Sequence, residues 1–430
     1  MTIDATMPGV GPAREPLSRV VLAATIGNVL EWFDFLVYGF FAVTIAEVFF
    51  PTGNGTTSLL LTFGAFGLSY VVRPLGAIVV GSFTDRAGRK AGLTLSIALM
   101  MIGTALMVVT PSYAAIGLAA PIIITLARML QGFSVGGEFG SAVAFLVEHT
   151  PERRGYSASW QWASTGMVSV VVALFGIVLT TMLTHEQVVA WGWRLPYVFG
   201  LLIGPAGLYI RSRIAETPEF LEAKKPAAIP IRTLLQRHPV NLLLAVGASV
   251  ISNSSYYLLL YIPTYGVKTL HLQASTGFIA TLVGGAVLAI VSPIAGYWSD
   301  HTARTRIMLV AGWLFLLTAY PAFYLMVAYP SLVAAIVAVG WLNFIKACYS
   351  GILPSLLTEQ FPVETRAVGT SFSYGISVTV FGGFAPFIAT WLIRATGDDL
   401  SPSYYLMATA ALSIAALLVI RRRPAYSAAA

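Results

Sequence analysis

Six charged side chains stand inside long apolar runs of this sequence: Glu31, Asp34, Arg73, Arg128, Glu138 and Lys346. Each charge at mid-bilayer costs about 2.5–3.5 kcal/mol even on a lenient insertion scale, so six facing lipid would cost about 15–20 kcal/mol. A whole domain is stable by only about 5–15 kcal/mol. The six must therefore face one another or a wet cavity. Arginine offers a planar fork that holds a carboxylate by two hydrogen bonds, and lysine a compact point charge. Arg128 from the first half of the chain and Lys346 from the second thus form a two-sided cationic clamp for a small anion with more than one carboxylate. The acids suit coupling, because the proton occupancy of a carboxylate responds to neighbouring charge, and filling the clamp changes that charge. Asp34 and Glu31 are the leading proton carriers, with Glu138 beside them. Carboxylates and amides also serve sodium, which stays open as the alternative coupling ion.

Helical spacing groups further polar residues with these charges. Glu31 and Asp34 are three apart and share a face, with Tyr38 one turn beyond Asp34. Gln131 and Glu138 nearly superpose in projection, about 60–80° from Arg128. Asn343, Lys346 and Ser350 form a polar stripe, and Asn253, Ser254, Tyr256 and Tyr257 offer another. The candidate substrate site is accordingly Arg128, Lys346, Asn343, Tyr38, Gln131, Asn253, Tyr257 and Arg73. At about 1.5 Å per residue, Asp34, Arg128 and Lys346 all fall near mid-depth.

The elements that must position them are membrane-spanning helices. The chain has 430 residues, 57% hydrophobic and only 10% charged, where a soluble domain averages about 25% charged. Twelve apolar runs are long enough to cross a bilayer: 19–46, 57–83, 91–110, 114–147, 156–183, 191–211, 240–267, 275–298, 306–328, 331–357, 367–393 and 402–421. The expected fold is an all-α membrane protein of two six-helix halves, 19–211 and 240–421. A polar tail (1–18), a charged linker (212–239) and a short tail (422–430) complete the chain. No cleavable signal peptide is expected, and residues 216–224 are read as a short surface helix. Cys348 is the single cysteine, so no intrachain disulfide forms, and no cluster of metal-ligand type occurs. No cofactor or metal is expected, and no nucleophile–base set suggests an enzyme.

Loop charges carry a second layer of function. Gly81, Asp85, Arg86, Gly88, Arg89 and Lys90 occupy a tight turn between the second and third runs. A weaker copy, Gly296, Asp300, Arg304 and Arg306, lies 215 residues later and lacks the turn glycine. Glu148 to Pro151 with Arg153, Arg154 and Gly155 recurs at an offset of 211 as Glu359 to Pro362 with Arg366 and Gly369. The chain is a duplication, which suits a transporter whose site lies between the halves. Gly81, Asp85, Arg86, Gly88, Arg89, Asp300 and Arg304 are read as a gate. Loop cations gather on the side of the 84–90 turn, against only Arg194, Lys268 and Arg394 opposite. The turn and both termini are therefore expected in the cytoplasm. The net charge of +7 is a topology signal, not one for nucleic acid.

The 81–90 turn resembles the loop signature of the major facilitator superfamily. Gly27-Asn28-Val29-Leu30-Glu31-Trp32-Phe33-Asp34-Phe35, Arg73-Pro74-Leu75-Gly76-Ala77 and the segment Arg128 to Gly140 resemble the metabolite:proton symporter family. Within it, residues 216–221, 263–266, 381–383 with Pro386, 191–196 and 396–398 are similar to citrate and tricarballylate symporters. The resemblance runs from about residue 18 to 421. It implies import of a tricarboxylate with protons across a bacterial inner membrane, by a monomer whose partners are the carboxylate, protons and the lipid bilayer. Another organic acid, such as a dicarboxylate or shikimate, is the alternative, and a membrane receptor the non-transport one. The short end after 421 and a fifth run without a Gly-Pro pair argue against compatible-solute sensing and drug efflux.

Overall fold

The computed structural model of the chain describes residues 17–87, 89–135, 138–150, 152–212, 230–362 and 365–423. Among them there is no strand. The helices group into twelve passes that follow the twelve apolar runs. Eight are long and apolar enough to cross a membrane on their own, and a bent first pass makes nine. The third and fourth passes contain the shorter apolar stretches Thr94–Val109 and Ala119–Ser134.

Where the sequence predicts single runs, the structure breaks several. The first pass is Leu17–Phe40 and Ala42–Phe49, bent by 72° at Phe41. The second is Gly55–Val71 and Arg73–Ala87, the fourth Ala119–Ser134 and Glu138–His149, the seventh Pro239–Leu260 and Ile262–Lys268. The tenth is Leu332–Ser350 and Leu353–Glu359. The eleventh, Arg366–Ser377 and Ala385–Thr396, is joined by a π-turn over Val378–Gly382. Proline explains the breaks at Pro263, Pro354 and Pro386, each at the start of a helical segment where its missing N–H costs nothing. The third (Arg89–Val109), fifth (Arg154–Met182), sixth (Arg194–Ser212), eighth (Ala274–His301), ninth (Arg304–Ala328) and twelfth (Ser401–Arg421) passes run unbroken.

The fifth and eighth passes form the most extensive helix pair, and they come from opposite halves. Hydrocarbon tails are as apolar as leucine, so association in a bilayer rests on close packing of small residues. A Cβ at Gly166 would come within 2.6 Å of the Ala289 nitrogen, and one at Gly296 within 2.5 Å of the Gly155 carbonyl. The two backbones therefore touch at two levels. The first pass is tied to the same fifth helix by Asn28, whose Nδ2 donates to Ser164 Oγ at 2.8 Å, Thr165 Oγ1 at 3.1 Å and the Gln161 carbonyl at 3.0 Å.

The surface helix read at 216–224, the glycine at 88, and the side chains of Gly81, Asp85, Arg86, Arg89 and Glu138 lie outside what is described. Replacing Gly166 by valine drives the fifth and eighth helices apart. The expected cost is about 1–3 kcal/mol, read as a lower melting temperature in detergent; an unchanged melting curve contradicts the close approach.

Candidate functional site

The acids of the first pass part company. Three residues apart on a helix, they diverge by about 60° and reach different neighbours. Glu31 Oε1 accepts from Arg73 Nη2 at 3.1 Å, and both side chains are buried. The Arg73 guanidinium also lies over the Tyr70 ring at 4.4 Å and the Phe35 ring at 4.8 Å. Asp34 turns towards the third and fourth passes. The Thr104 hydroxyl donates to Asp34 Oδ2, and Gln131 Nε2 donates to the same oxygen at 3.1 Å and to Thr104 Oγ1 at 3.0 Å. Gln131 Oε1 in turn accepts from Arg128 Nη1 at 2.6 Å. A single amide therefore connects the Asp34 carboxylate to the Arg128 guanidinium.

Arg128 is fully buried, yet its Nε and Nη2 have no hydrogen-bond partner. Aromatic faces surround it instead: Phe35 at 4.4 Å, Tyr38 at 4.6 Å and Phe66 at 5.4 Å. Lys346 repeats the arrangement in the other half. Only 2% exposed, its Nζ has no hydrogen-bond partner and sits over Tyr256 at 4.2 Å and Trp162 at 4.8 Å. A desolvated cation over a ring gains about 2 kcal/mol, whereas burying an ion costs several. An anion brought alongside makes up the difference.

One continuous ring cluster separates the two cations. Phe66, at Arg128, packs 6.0 Å from Tyr257; Tyr257 lies 5.4 Å from Tyr256, which faces Lys346. Trp32 bridges from the first pass, 4.9 Å from Tyr256 and 5.9 Å from Tyr257. Arg128, Lys346, Arg73 and Tyr257 thus all border one aromatic interior. Asn343 lines a small cavity with Tyr256, Ser169 and Thr281. Asn253 donates to Ser377 Oγ at 3.1 Å and keeps its Oδ1 free of a partner. Tyr38 spends its hydroxyl on the Thr62 carbonyl at 3.1 Å and presents only its ring to Arg128. The amide of Gln131 is engaged at both ends. Sequence reading missed the parts played by Trp162, Trp32, Phe35, Phe66, Tyr70 and Thr104. Aromatics scattered through apolar helices look like packing residues, and a lone threonine carries no spacing signal.

Contacts between the halves close the bundle at both ends. On the side of residue 300, the Asp300 carboxylate accepts from the Gly155 and Tyr156 amides at 2.7 and 3.0 Å. It caps the fifth helix from across the interface, where the helix dipole favours negative charge. Arg304 holds that carboxylate at 3.1 Å and pairs with Glu359. Nearby, Phe139 stacks on Tyr374 at 3.7 Å between ring centroids. The second-half motif thus joins the halves through Asp300 without its turn glycine. At the opposite end, Phe63 meets Tyr261 at 5.5 Å, Phe384 packs on Gly67, and Arg394 donates to Thr57 at 3.3 Å.

Comparison with known proteins follows this geometry. The Major Facilitator Superfamily profile matches residues 24–376. A citrate-proton symporter of Klebsiella pneumoniae is 38% identical over 410 residues, covering 95% of this chain and 92% of the relative. A proline/betaine transporter of Salmonella typhimurium is 33% identical over 419 residues, covering 93% and 82%. Among solved structures, the proton:xylose symporter XylE superposes with a TM-score of 0.75 at 15% identity, covering 95% of this chain and 96% of that one, a likeness of fold.

The latch has a measurable consequence. With spin labels at the exposed Arg153 and Thr302, and Cys348 replaced by serine, Asp300→Ala is expected to lengthen the label-to-label distance by separating the fifth and eighth helix ends. An unaltered distance distribution contradicts a carboxylate latch.

Proposed function

The chain belongs to the major facilitator superfamily, and on that premise we propose that it imports citrate or a related tricarboxylate such as tricarballylate by proton symport. One observation carries the reading. Two buried cations, Arg128 and Lys346, stand at opposite ends of one aromatic cluster with donors that no protein group takes up. A tricarboxylate supplies two separated anionic groups for them. Arg128 takes one carboxylate through its planar fork and Lys346 another as a point charge. Asn343, Asn253 and Tyr257 border the same space, and Arg73 remains with Glu31.

Coupling follows from the chain of hydrogen bonds. When a substrate carboxylate draws the Arg128 guanidinium, the Gln131 amide loses its partner on one side, and the field at Asp34 changes on the other. Asp34 is the proton carrier in this reading. Glu31, held by Arg73, is a second acid in the path, and Glu138 a third. Transport proceeds by alternating opening of the halves 19–211 and 240–421, joined by the linker 212–239. Asp300 and Arg304 gate one end, together with Gly81, Asp85, Arg86, Gly88 and Arg89 of the first-half turn. The cation-rich loops put that end and both termini in the cytoplasm. With bacterial relatives of this class, the membrane is the bacterial inner membrane, and one chain holds a whole transport unit.

The similarity to proline/betaine transporters favours a different cargo, a small zwitterion with an ammonium centre and a single carboxylate. Lys346 argues against it, because an ammonium already occupies the box made by Trp162 and Tyr256. A polyanion complements both cations, whereas a zwitterion offers one carboxylate and an ammonium centre that must displace Lys346 from its rings.

Uptake of radiolabelled citrate into proteoliposomes tests the proposal, with and without an inward proton gradient. Accumulation driven by the gradient and competed by tricarballylate, but not by betaine, is expected. Sodium-driven accumulation overturns the proton assignment. Failure to carry citrate, with succinate or shikimate carried instead, overturns the tricarboxylate assignment.

A further inference from the structure

Beside Asp34 lies a pocket that the substrate route does not use. It is bounded by the first, third and sixth passes, with Asp34 and Thr104 at its inner end and Met100, Met101, Ile203 and Gly204 along its walls. It holds about 30 Å³ of space open to water, enough for a single molecule. Two glycines keep it open. A Cβ at Gly200 would sit 3.1 Å from Asp34 Oδ1, and one at Gly204 would lie 2.8 Å from Met101 Sδ.

The two oxygens of Asp34 are not equivalent. Thr104 and Gln131 both direct donors at Oδ2. Oδ1 instead faces Gly200 and the pocket. Oδ1 is therefore the oxygen from which a proton can pass directly into the pocket. The charged and titratable groups near this carboxylate among the described residues are Arg128 of the fourth pass, through Gln131, and Tyr197 of the sixth. The third pass contributes only Thr104, whose hydroxyl also reaches the Met100 carbonyl at 3.0 Å.

The pocket has a direction. Val29 precedes Asp34 in the first pass, Met100 and Met101 precede Thr104 in the third, and Ile203 and Gly204 follow Gly200 in the sixth. All of these steps lead towards the end of the bundle that carries the Asp300 latch. We propose that Asp34 releases its proton towards that end through this side pocket, apart from the path taken by the carboxylate substrate. This rests on the assignment of Asp34 as proton carrier. In the step itself, a water lone pair in the pocket takes the proton, the Oδ1–H bond breaks, and hydronium departs towards the cytoplasm. The carboxylate left behind is already held at Oδ2. The apolar walls give ions no resting site, so the pocket conducts on a transient water, as dewetting constrictions do. Separate exits let the proton leave after the substrate without crossing the two cations.

The test uses the full-length protein in proteoliposomes and two assays: citrate accumulation driven by a proton gradient, and citrate counterflow at equal pH on both sides. Gly200→Ala narrows the pocket at Oδ1 and is expected to slow gradient-driven accumulation by about tenfold or more. Counterflow, which needs no net proton release, is expected to stay within about twofold of the parent. Gly204→Ala, which narrows the pocket further out, is expected to show the same split and serves if Gly200→Ala does not fold. Gradient-driven rates at parental level in a folded variant, or equal loss in both assays, overturn the pocket. Asp34→Asn separates the two ideas. Accumulation surviving in that variant removes Asp34 as carrier and the pocket with it. Accumulation lost there but intact in both glycine variants overturns the pocket alone.

Discussion

A buried lysine set over two aromatic rings, its Nζ without a hydrogen-bond partner among the described residues, governs this structure. Lys346 lies in a bilayer-spanning bundle, without a hydrogen bond, over Tyr256 and Trp162. The quadrupoles of two rings recover part of the lost hydration but not all of it. Arg128 repeats the predicament across the interface, with rings on its faces and two nitrogens unused. Two such centres on two bodies, with a ring cluster between them, are the proposed grip on one multiply charged anion. Separating the bodies exposes that grip to water on one side or the other.

The packing around the cluster is arranged to let that happen. The contacts between halves include small-residue helix crossings and polar latches beside the aromatic cluster. The fifth and eighth helices touch through glycine at Gly166 and Gly296, and Phe278 of the eighth packs on Gly176 of the fifth. Asp300 caps a helix of the other half, a contact that is made or lost as a unit. At the far end, Phe384 against Gly67 and Arg394 against Thr57 provide the opposing closure. Both sets are engaged here, and the aromatic interior is correspondingly filled by its own rings.

Much of this was legible in the residues alone. Charges in apolar runs are rare enough that Arg128, Lys346, Arg73, Glu31 and Asp34 announced themselves, and hydropathy placed all twelve passes. The duplicated turn singled out Asp300 and Arg304, and Asp300 makes a contact between the halves. What could not be read was partnership. Glu31 and Asp34 share a helix face by spacing, but the angle of about 60° between them is enough to send one to Arg73 and the other to Thr104. Gln131 looked like a substrate ligand because it is polar and near Arg128, and its amide turns out to be engaged by Arg128 and Asp34. Trp162 and Tyr256 belong to helices from different halves, so only tertiary packing brings them to Lys346. The break at Phe41 carries no proline, whereas that at Val72 has Pro74 two residues on, as the breaks before Pro263, Pro354 and Pro386 do.

The central claim is that Arg128 and Lys346 grip the same anion, and equilibrium binding of citrate to the purified protein tests it most directly. Citrate dissociation constants for Arg128→Met, Lys346→Met and the double variant, at one pH and without a membrane gradient, are the measurement. Each single replacement is expected to weaken binding by about 100-fold, with the double variant losing less than the sum because neither cation holds a tricarboxylate alone. Binding within about twofold of the parent in either single variant, from protein that remains folded, contradicts the shared grip.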